Sequence, residues 1–384
     1  MGALSGLRII EIAERVVGEY CGKLLADLGA EVIKVERPGG SPTRRLGPIV
    51  DTPDGSRSAL FAYLGTNKKS VVIDVESDEG RSALARLIGG ADALIDDHDE
   101  HWCVRHRLDK QGVRADNPAI VHCCITPFGQ GAPADRQKAH PINIVNAGGW
   151  AWHSPSESDP SDPPLMGAGR FMPSYDAGLD AAMATAASLY RKRTTGKGQF
   201  IDLSEVEVQM SRADIVIGRV LAGDDEPTHG RGRYDMGGPG TSFACADGFV
   251  HIYMTTKKHW NGLRELMGWP DWAEEFPEDW LEFHCTPPRV AAFRDRFEPW
   301  IATQQKVPIT DAAQKLGVPL APVNDAADLL ANAQYRHRGF FQSVEGDPLG
   351  DVEYPMAPYR LTASPVTLRS AAPRIGEHDG EYGR

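Results

Sequence analysis

The chain has 384 residues, 41% hydrophobic and 24% charged, ordinary for a soluble globular protein long enough to hold two domains. A net charge of −12 argues against a nucleic-acid partner, which would need a basic face. No apolar run reaches membrane-spanning length and the first residues lack a signal-peptide layout, so a cytoplasmic protein with no membrane partner is expected.

Leu7–Ala13 reads as a buried strand, Tyr20–Leu28 as a short helix stopped by Gly29, and Glu31–Glu36 as a second strand, together a βαβ unit. The pattern repeats with Ser70–Val75 as strand, Glu79–Ile88 as helix and Ala91–Asp96 as strand. A further strand, Ala119–Thr126, lies between Pro118 and Pro127. This alternation predicts an α/β fold with a mostly parallel, Rossmann-like sheet and helices on both faces. The turn after the first strand, Glu14–Glu19, lacks G-x-G-x-x-G, which counts against NAD or FAD.

An alanine-rich helix over about Asp176–Lys192 follows, fed by a polar loop. In one structural reading Ser174 is the N-cap and Asp176 complements the dipole in the first turn. Gly196 and Gly198 then allow the positive φ angles of a tight reversal into a strand at Gln199–Leu203. Another helix is expected over about Glu205–Leu221, and Gly223–Thr228 reads as a linker. Beyond it, a strand at Phe249–Met254 and helical segments near Trp260–Met267 and Val290–Ile301 suggest a smaller α+β domain. The expected division is 1–222 for the first part of a large domain, 223–325 for the small one, and 326–384 for a return to the large one.

None of the six cysteines forms a Cys-x-x-Cys pair, so neither a zinc ribbon nor a thioredoxin-like site is indicated. Cys123 and Cys124 read as core. His98, His101 and His106 match no known metal spacing, and a solvated segment explains them better. Neither a metal nor a redox cofactor is expected.

Four segments carry a resemblance. They are LLADLGAEVIKVERPGG (Leu24–Gly40), NKKSVVIDV (Asn67–Val75), TGKGQFIDLSEVE (Thr195–Glu207) and PRIGEH (Pro373–His378). In this order and spacing the chain resembles the family III CoA-transferases of the CaiB/BaiF group, which includes formyl-CoA transferases, carnitine CoA-transferases and α-methylacyl-CoA racemases. The resemblance implies a Rossmann-like large domain, a small domain and an interlocked homodimer. It also implies acyl-CoA and carboxylic acid substrates, with the coenzyme A thioester as substrate and no other cofactor.

Arg37, between a strand and the bend Pro38-Gly39-Gly40, suits adenine stacking or phosphate binding at the sheet's carboxyl edge. Lys68 and Lys69 suit the anionic part of CoA, whereas Arg44 and Arg45 read as a solvated face. The resemblance carries Val16 over as a backbone contact to CoA and makes Arg105 a weaker binding candidate.

In the family the nucleophile is an aspartate at the register that here falls on Ser174. Three readings stay open. Asp176 takes over and forms a mixed anhydride with the acyl group. Alternatively, Ser174 and Asp176 only cap the helix, and the protein binds CoA esters without the usual chemistry. Or Ser174 is itself the nucleophile, with His140 as its base. His140 also resembles the histidine base of the racemases, which makes α-methylacyl-CoA racemisation the enzyme alternative. Met236–Thr241 falls where formyl-CoA transferases carry a mobile glycine loop over the acyl-enzyme. Trp150, Trp152, Phe171 and Tyr175 could line an acyl pocket or simply pack in the core.

Overall fold

A computed structural model describes residues 1–150, 169–213, 217–218, 221–223 and 239–382. The chain divides into two compact units, one of residues 1–231 with 339–384 and one of 232–338. The sequence-based junctions at 222/223 and 325/326 lie 9 and 13 residues before these.

The larger unit is built on a parallel sheet. Its strands are β1 (Arg8–Glu11), β2 (Glu31–Glu36), β3 and β4 (Ile49–Thr52 and Gly55–Ser58, a separate antiparallel hairpin), β5 (Lys68–Val72), β6 (Ala93–Asp96), β7 (Val121–Thr126) and β8 (Phe200–Ser204). The six-stranded order is β5-β2-β1-β6-β7-β8, and each neighbouring pair is parallel. Ile9, Ile10, Ile33, Val71, Leu94 and Ile95 are fully shielded, as expected of strands buried on both faces. One core cluster holds Ile9, Val17, Leu25 and Ala181 and a second holds Ile10, Ile33, Leu84 and Ile88, one for each face of the sheet.

The helices of this unit include α1 (Val16–Asp27), α2 (Ala59–Leu64), α3 (Asp78–Gly89), α4 (Glu100–Arg105), α5 (Lys110–Asp116), α6 (Pro141–Ala147), α7 (Met172–Thr195) and α8 (Glu205–Arg212). Helix α1 begins four residues before the expected Tyr20. Helix α7 begins at Met172, with Phe171 as N-cap and Pro173 in its first turn, so Ser174 is not the cap. Proline is tolerated there because the first-turn N–H groups have no intrahelical acceptor. Consequently Asp176 is the fifth helical residue, beyond the first turn where the dipole acts most strongly.

Helix α7 is small-faced because it lies against α1. A Cβ on Gly178 would stand 2.7 Å from the Val17 carbonyl oxygen and 3.0 Å from the Tyr20 ring. At its far end Gly196 adopts φ 70°, and its N–H reaches the Lys192 carbonyl at 2.8 Å. Gly198 serves differently from expectation. It is not among the positive-φ residues, but a Cβ there would meet the Ile120 carbonyl oxygen at 2.0 Å, so the strand entry must stay bare.

The carboxyl-terminal segment closes the open edge of β5. His378 N–H donates to the Ser70 carbonyl, Gly376 N–H to Ser70 Oγ, and Val72 N–H to Asp379, at 2.8–3.0 Å. An unpaired strand edge is a template for aggregation, which gives the PRIGEH segment a physical role independent of any ligand.

The smaller unit has an antiparallel three-stranded sheet, β9 (Gly240–Cys245), β10 (Gly248–Tyr253) and β11 (Leu320–Val323), in the order β11-β10-β9. Its core is aromatic, with Trp260, Trp280, Phe293 and Phe297 wholly buried. Among the described residues no helix is long and apolar enough to cross a membrane.

Candidate active site at the carboxyl edge of the parallel sheet

Helix α1 starts where β1 ends, and its first N–H groups need acceptors. Asp97, just past β6, accepts from the turn leading into α1 and from the third residue of the helix. Its Oδ1 accepts from Glu14 N–H at 2.8 Å, and its Oδ2 accepts from Arg15 N–H at 2.9 Å and Gly18 N–H at 3.3 Å. Burial pushes the Asp97 carboxyl up, opposed by the nearby Arg15 and His98 charges and by these backbone donors. The positive end of α1 is thus occupied by a side chain of the protein itself. Sequence reading missed Asp97; its position as an acidic residue past the carboxyl end of a strand was the available signal.

Val16, the first residue of α1, is 4% exposed and sits beneath this turn. Arg37 leaves β2 on the same edge with its side chain half exposed, and its Nε lies 3.3 Å from Glu14 Oε1. Glu14 in turn lies 3.9 Å from His98, whose Nδ1 pairs with the buried Asp96 at 2.7 Å and whose ring stacks on Trp102. Burial alone would lower the His98 pKa, but the Asp96 hydrogen bond and charge outweigh it and raise it. Val16 and Arg37 are therefore brought to one edge, beside a charge relay that links Arg37, Glu14, His98 and Asp96.

The two lysines are not there. In the parallel register Lys69 stands opposite Ile33, four residues before Arg37 and so about 13 Å away along the strand, at the amino end of the sheet. Lys68 points inward, with its side chain fully buried. Its ammonium pairs with Glu11 at 2.7 Å and donates to the Glu19 carbonyl at 2.7 Å. Lys34 completes this internal cluster, at 2.7 Å from Glu19 and 3.3 Å from Glu11. Lys68 is corrected to a structural residue, because leaving this cluster would strand a buried carboxylate. Lys69 is part exposed but bonded to Glu31, Glu381 and Tyr382, which ties the carboxyl terminus to the sheet. Arg105 is exposed in the last turn of α4.

At the start of α7, Ser174 is 4% exposed in the first turn. Asp176 keeps 30% of its side chain exposed. Its Oδ2 accepts from Gln209 Nε2 at 3.1 Å, and its Oδ1 lies 3.9 Å from Arg212, which pairs more closely with Asp180 at 2.8 Å. Trp150 donates to the Gln209 carbonyl at 3.1 Å, so it braces the residue that holds Asp176. Tyr175 meets Tyr20 edge-to-face at 4.7 Å, and both line a cleft of about 580 Å³ with Tyr63 and Ala59. His140 is exposed and precedes α6, its N–H bonded to Asn143 Oδ1 at 2.9 Å. Among the described residues no hydrogen bond or ion pair joins it to Asp176 or Ser174. Trp152 and residues 236–238 of the expected glycine loop lie outside the described residues, and Thr241 belongs to β9.

Residues 4–379 match the model of CoA-transferase family III. The chain belongs to this family. This family III chain is 29% identical over 388 residues to succinyl-CoA:(R)-benzylsuccinate CoA-transferase subunit BbsE of Thauera aromatica, covering 98% of this chain and 92% of the relative. It is 27% identical over 387 residues to succinate–glutarate CoA-transferase of Agrobacterium fabrum, with 98% and 94% covered. Its fold is similar to the crystal structure of a CaiB/BaiF family protein from Brucella suis, at TM-score 0.85 and 27% identity over 99% of this chain and 98% of that one. CoA transfer is thus the activity class of its curated relatives, and the parallel sheet described above is the family's architecture.

Proposed function

We propose that this family III chain moves CoA from an acyl-CoA to a carboxylic acid with Asp176 as the nucleophile. One observation carries the assignment: Asp176 is the sole carboxylate in the first two turns of α7, at the α1–α7 junction, and it is part exposed and oriented by the Gln209 amide. In the proposed step an Asp176 oxygen attacks the thioester carbonyl, the C–S bond breaks, and CoA leaves as its thiolate. An aspartyl–acyl anhydride remains. The acceptor carboxylate then replaces the donor carboxylate in the anhydride, and the returning thiolate attacks the acceptor's carbonyl. This releases the new thioester and restores the Asp176 carboxylate. Val16 and Arg37, on the carboxyl edge, are the proposed CoA contacts. The working form in this reading is an interlocked homodimer in the cytoplasm.

The decisive experiment incubates the protein with succinyl-CoA and hydroxylamine and locates the resulting hydroxamate by peptide mass spectrometry. A hydroxamate on Asp176, with transfer lost in Asp176→Asn, is the expected result. Full transfer by Asp176→Asn refutes the role. A second reading has its own support: Asp176 is already engaged by Gln209, and Ser174 occupies the first-turn position. Under it the protein binds CoA esters without the covalent step, and calorimetry shows CoA binding with neither hydroxamate nor transfer.

A further inference from the structure

We infer that an arginine-lined cavity beside the Pro38–Gly40 bend binds a small organic anion, with a phosphate or carboxylate head on an apolar body. The cavity encloses about 400 Å³ and lies wholly within the larger unit, between the bend after β2, the β3–β4 hairpin, α2 and the carboxyl-terminal segment. Four guanidinium groups line it: Arg44, Arg45, Arg57 and Arg374.

Among the described residues, Arg44 alone of the four has a carboxylate partner. Arg44 grips Glu36 through Nε at 2.7 Å and Nη2 at 2.6 Å, and its guanidinium lies over the Phe61 ring at 3.9 Å. Arg45 donates to the Gly39 carbonyl at 3.3 Å. Among the described residues, half-buried Arg57 has its Nε closed off from solvent and without a hydrogen-bond partner, and neither its guanidinium nor that of Arg374 has an ion-pair partner, although the Arg374 backbone N–H donates to Glu377 Oε2 at 2.7 Å. A buried donor without a partner is costly, so an acceptor at this point is strongly favoured. The single carboxylate in the lining, Asp347, already accepts from Tyr354 Oη and from Leu349 N–H, each at 2.8 Å. Three cations without an ion-pair partner among the described residues, against one anion in the lining, make a local reversal of charge in a chain whose net charge is −12.

Guanidinium forks match the oxygens of phosphate and carboxylate, and they bind such heads more strongly than neutral donors do. The remaining wall sets the rest of the ligand. Phe61, Leu349 and Ile375 offer an apolar surface, which suits an aromatic or short aliphatic body. Arg37, Val16, Ser174 and Asp176 do not line this cavity, although its Leu349 and Tyr354 also line the Tyr20–Tyr175 cleft.

The test is titration calorimetry on the full chain with four probes: phenyl phosphate, benzoate, phenol and inorganic phosphate. One phenyl phosphate or benzoate per chain is expected, with phenol silent and inorganic phosphate weaker for want of the apolar wall. Whichever anion binds tighter identifies the head. Arg57→Gln should weaken that anion about tenfold or more. Arg374→Gln, an exposed position that does not endanger folding, should weaken it as well. The inference is overturned if neither organic anion binds, if both variants bind like the parent, or if excess CoA displaces the probe. Because transfer activity plays no part in this readout, its failure and that of the Asp176 assignment are separate results.

Discussion

Glu36→Gln should remove a large, pH-dependent share of the stability of the carboxyl-edge bend. Glu36 is 1% exposed at the end of β2. Its Oε2 accepts from Ser41 N–H at 2.8 Å and Arg44 Nε at 2.7 Å, and its Oε1 accepts from Arg44 Nη2 and Ser70 Oγ, each at 2.6 Å. Burial alone would raise its pKa. The Arg44 hydrogen bonds, the Lys34 charge and the Ser70 hydroxyl outweigh burial and bring it from 4.5 to about 2. A carboxyl with its folded pKa below the unfolded one binds fewer protons when folded. Its stabilisation is therefore complete above about pH 4.5 and is lost as pH falls toward 2. The gap between 4.5 and about 2, at about 1.4 kcal/mol per pH unit, amounts to about 3 kcal/mol at pH 7. Urea unfolding followed by circular dichroism should show Glu36→Gln less stable than the parent by about this much at pH 7. The difference should shrink steadily between pH 4.5 and pH 3. Equal stabilities at pH 7, or a difference that stays constant down to pH 3, would refute the reasoning.

The structure separates two cations that sequence reading grouped together. Arg37→Ala should raise the KM for acyl-CoA about tenfold with Tm unchanged, since its ion pair with Glu14 is half exposed and worth little by itself. Lys68→Met should do the reverse, lowering stability by about 3 kcal/mol through the stranded Glu11 carboxylate while the KM of the folded fraction stays the same. Steady-state kinetics and thermal melts on the two variants check both, and a KM effect confined to Lys68→Met would reverse the assignment. Gly178→Ala should destabilise by about 2 kcal/mol or more, because its methyl would press on the Val17 carbonyl and the Tyr20 ring; an unchanged melting temperature would contradict the close α1–α7 contact.

The α/β class and most strands of the parallel sheet were legible in the sequence, because continuous apolar runs such as Leu7–Ala13 and EVIKVE report local burial directly. The family too was legible, from four short segments in order. The start of α7, four residues before the expected Asp176, was not, because the helix runs through Pro173, which in the first turn removes only an N–H that has no intrahelical partner. Adjacent lysines were also beyond reach. Lys68 and Lys69 differ only in which way a strand turns its side chains, and that parity is set by pairing with β2. The cap on α1 comes from Asp97, 83 positions after Glu14, and exists only because the sheet places β6 beside β1. Local pattern thus determined the elements and the family. The order of the strands decided which charges meet, since electrostatic partners are chosen by distance in space, and chain separation carries no information about that distance.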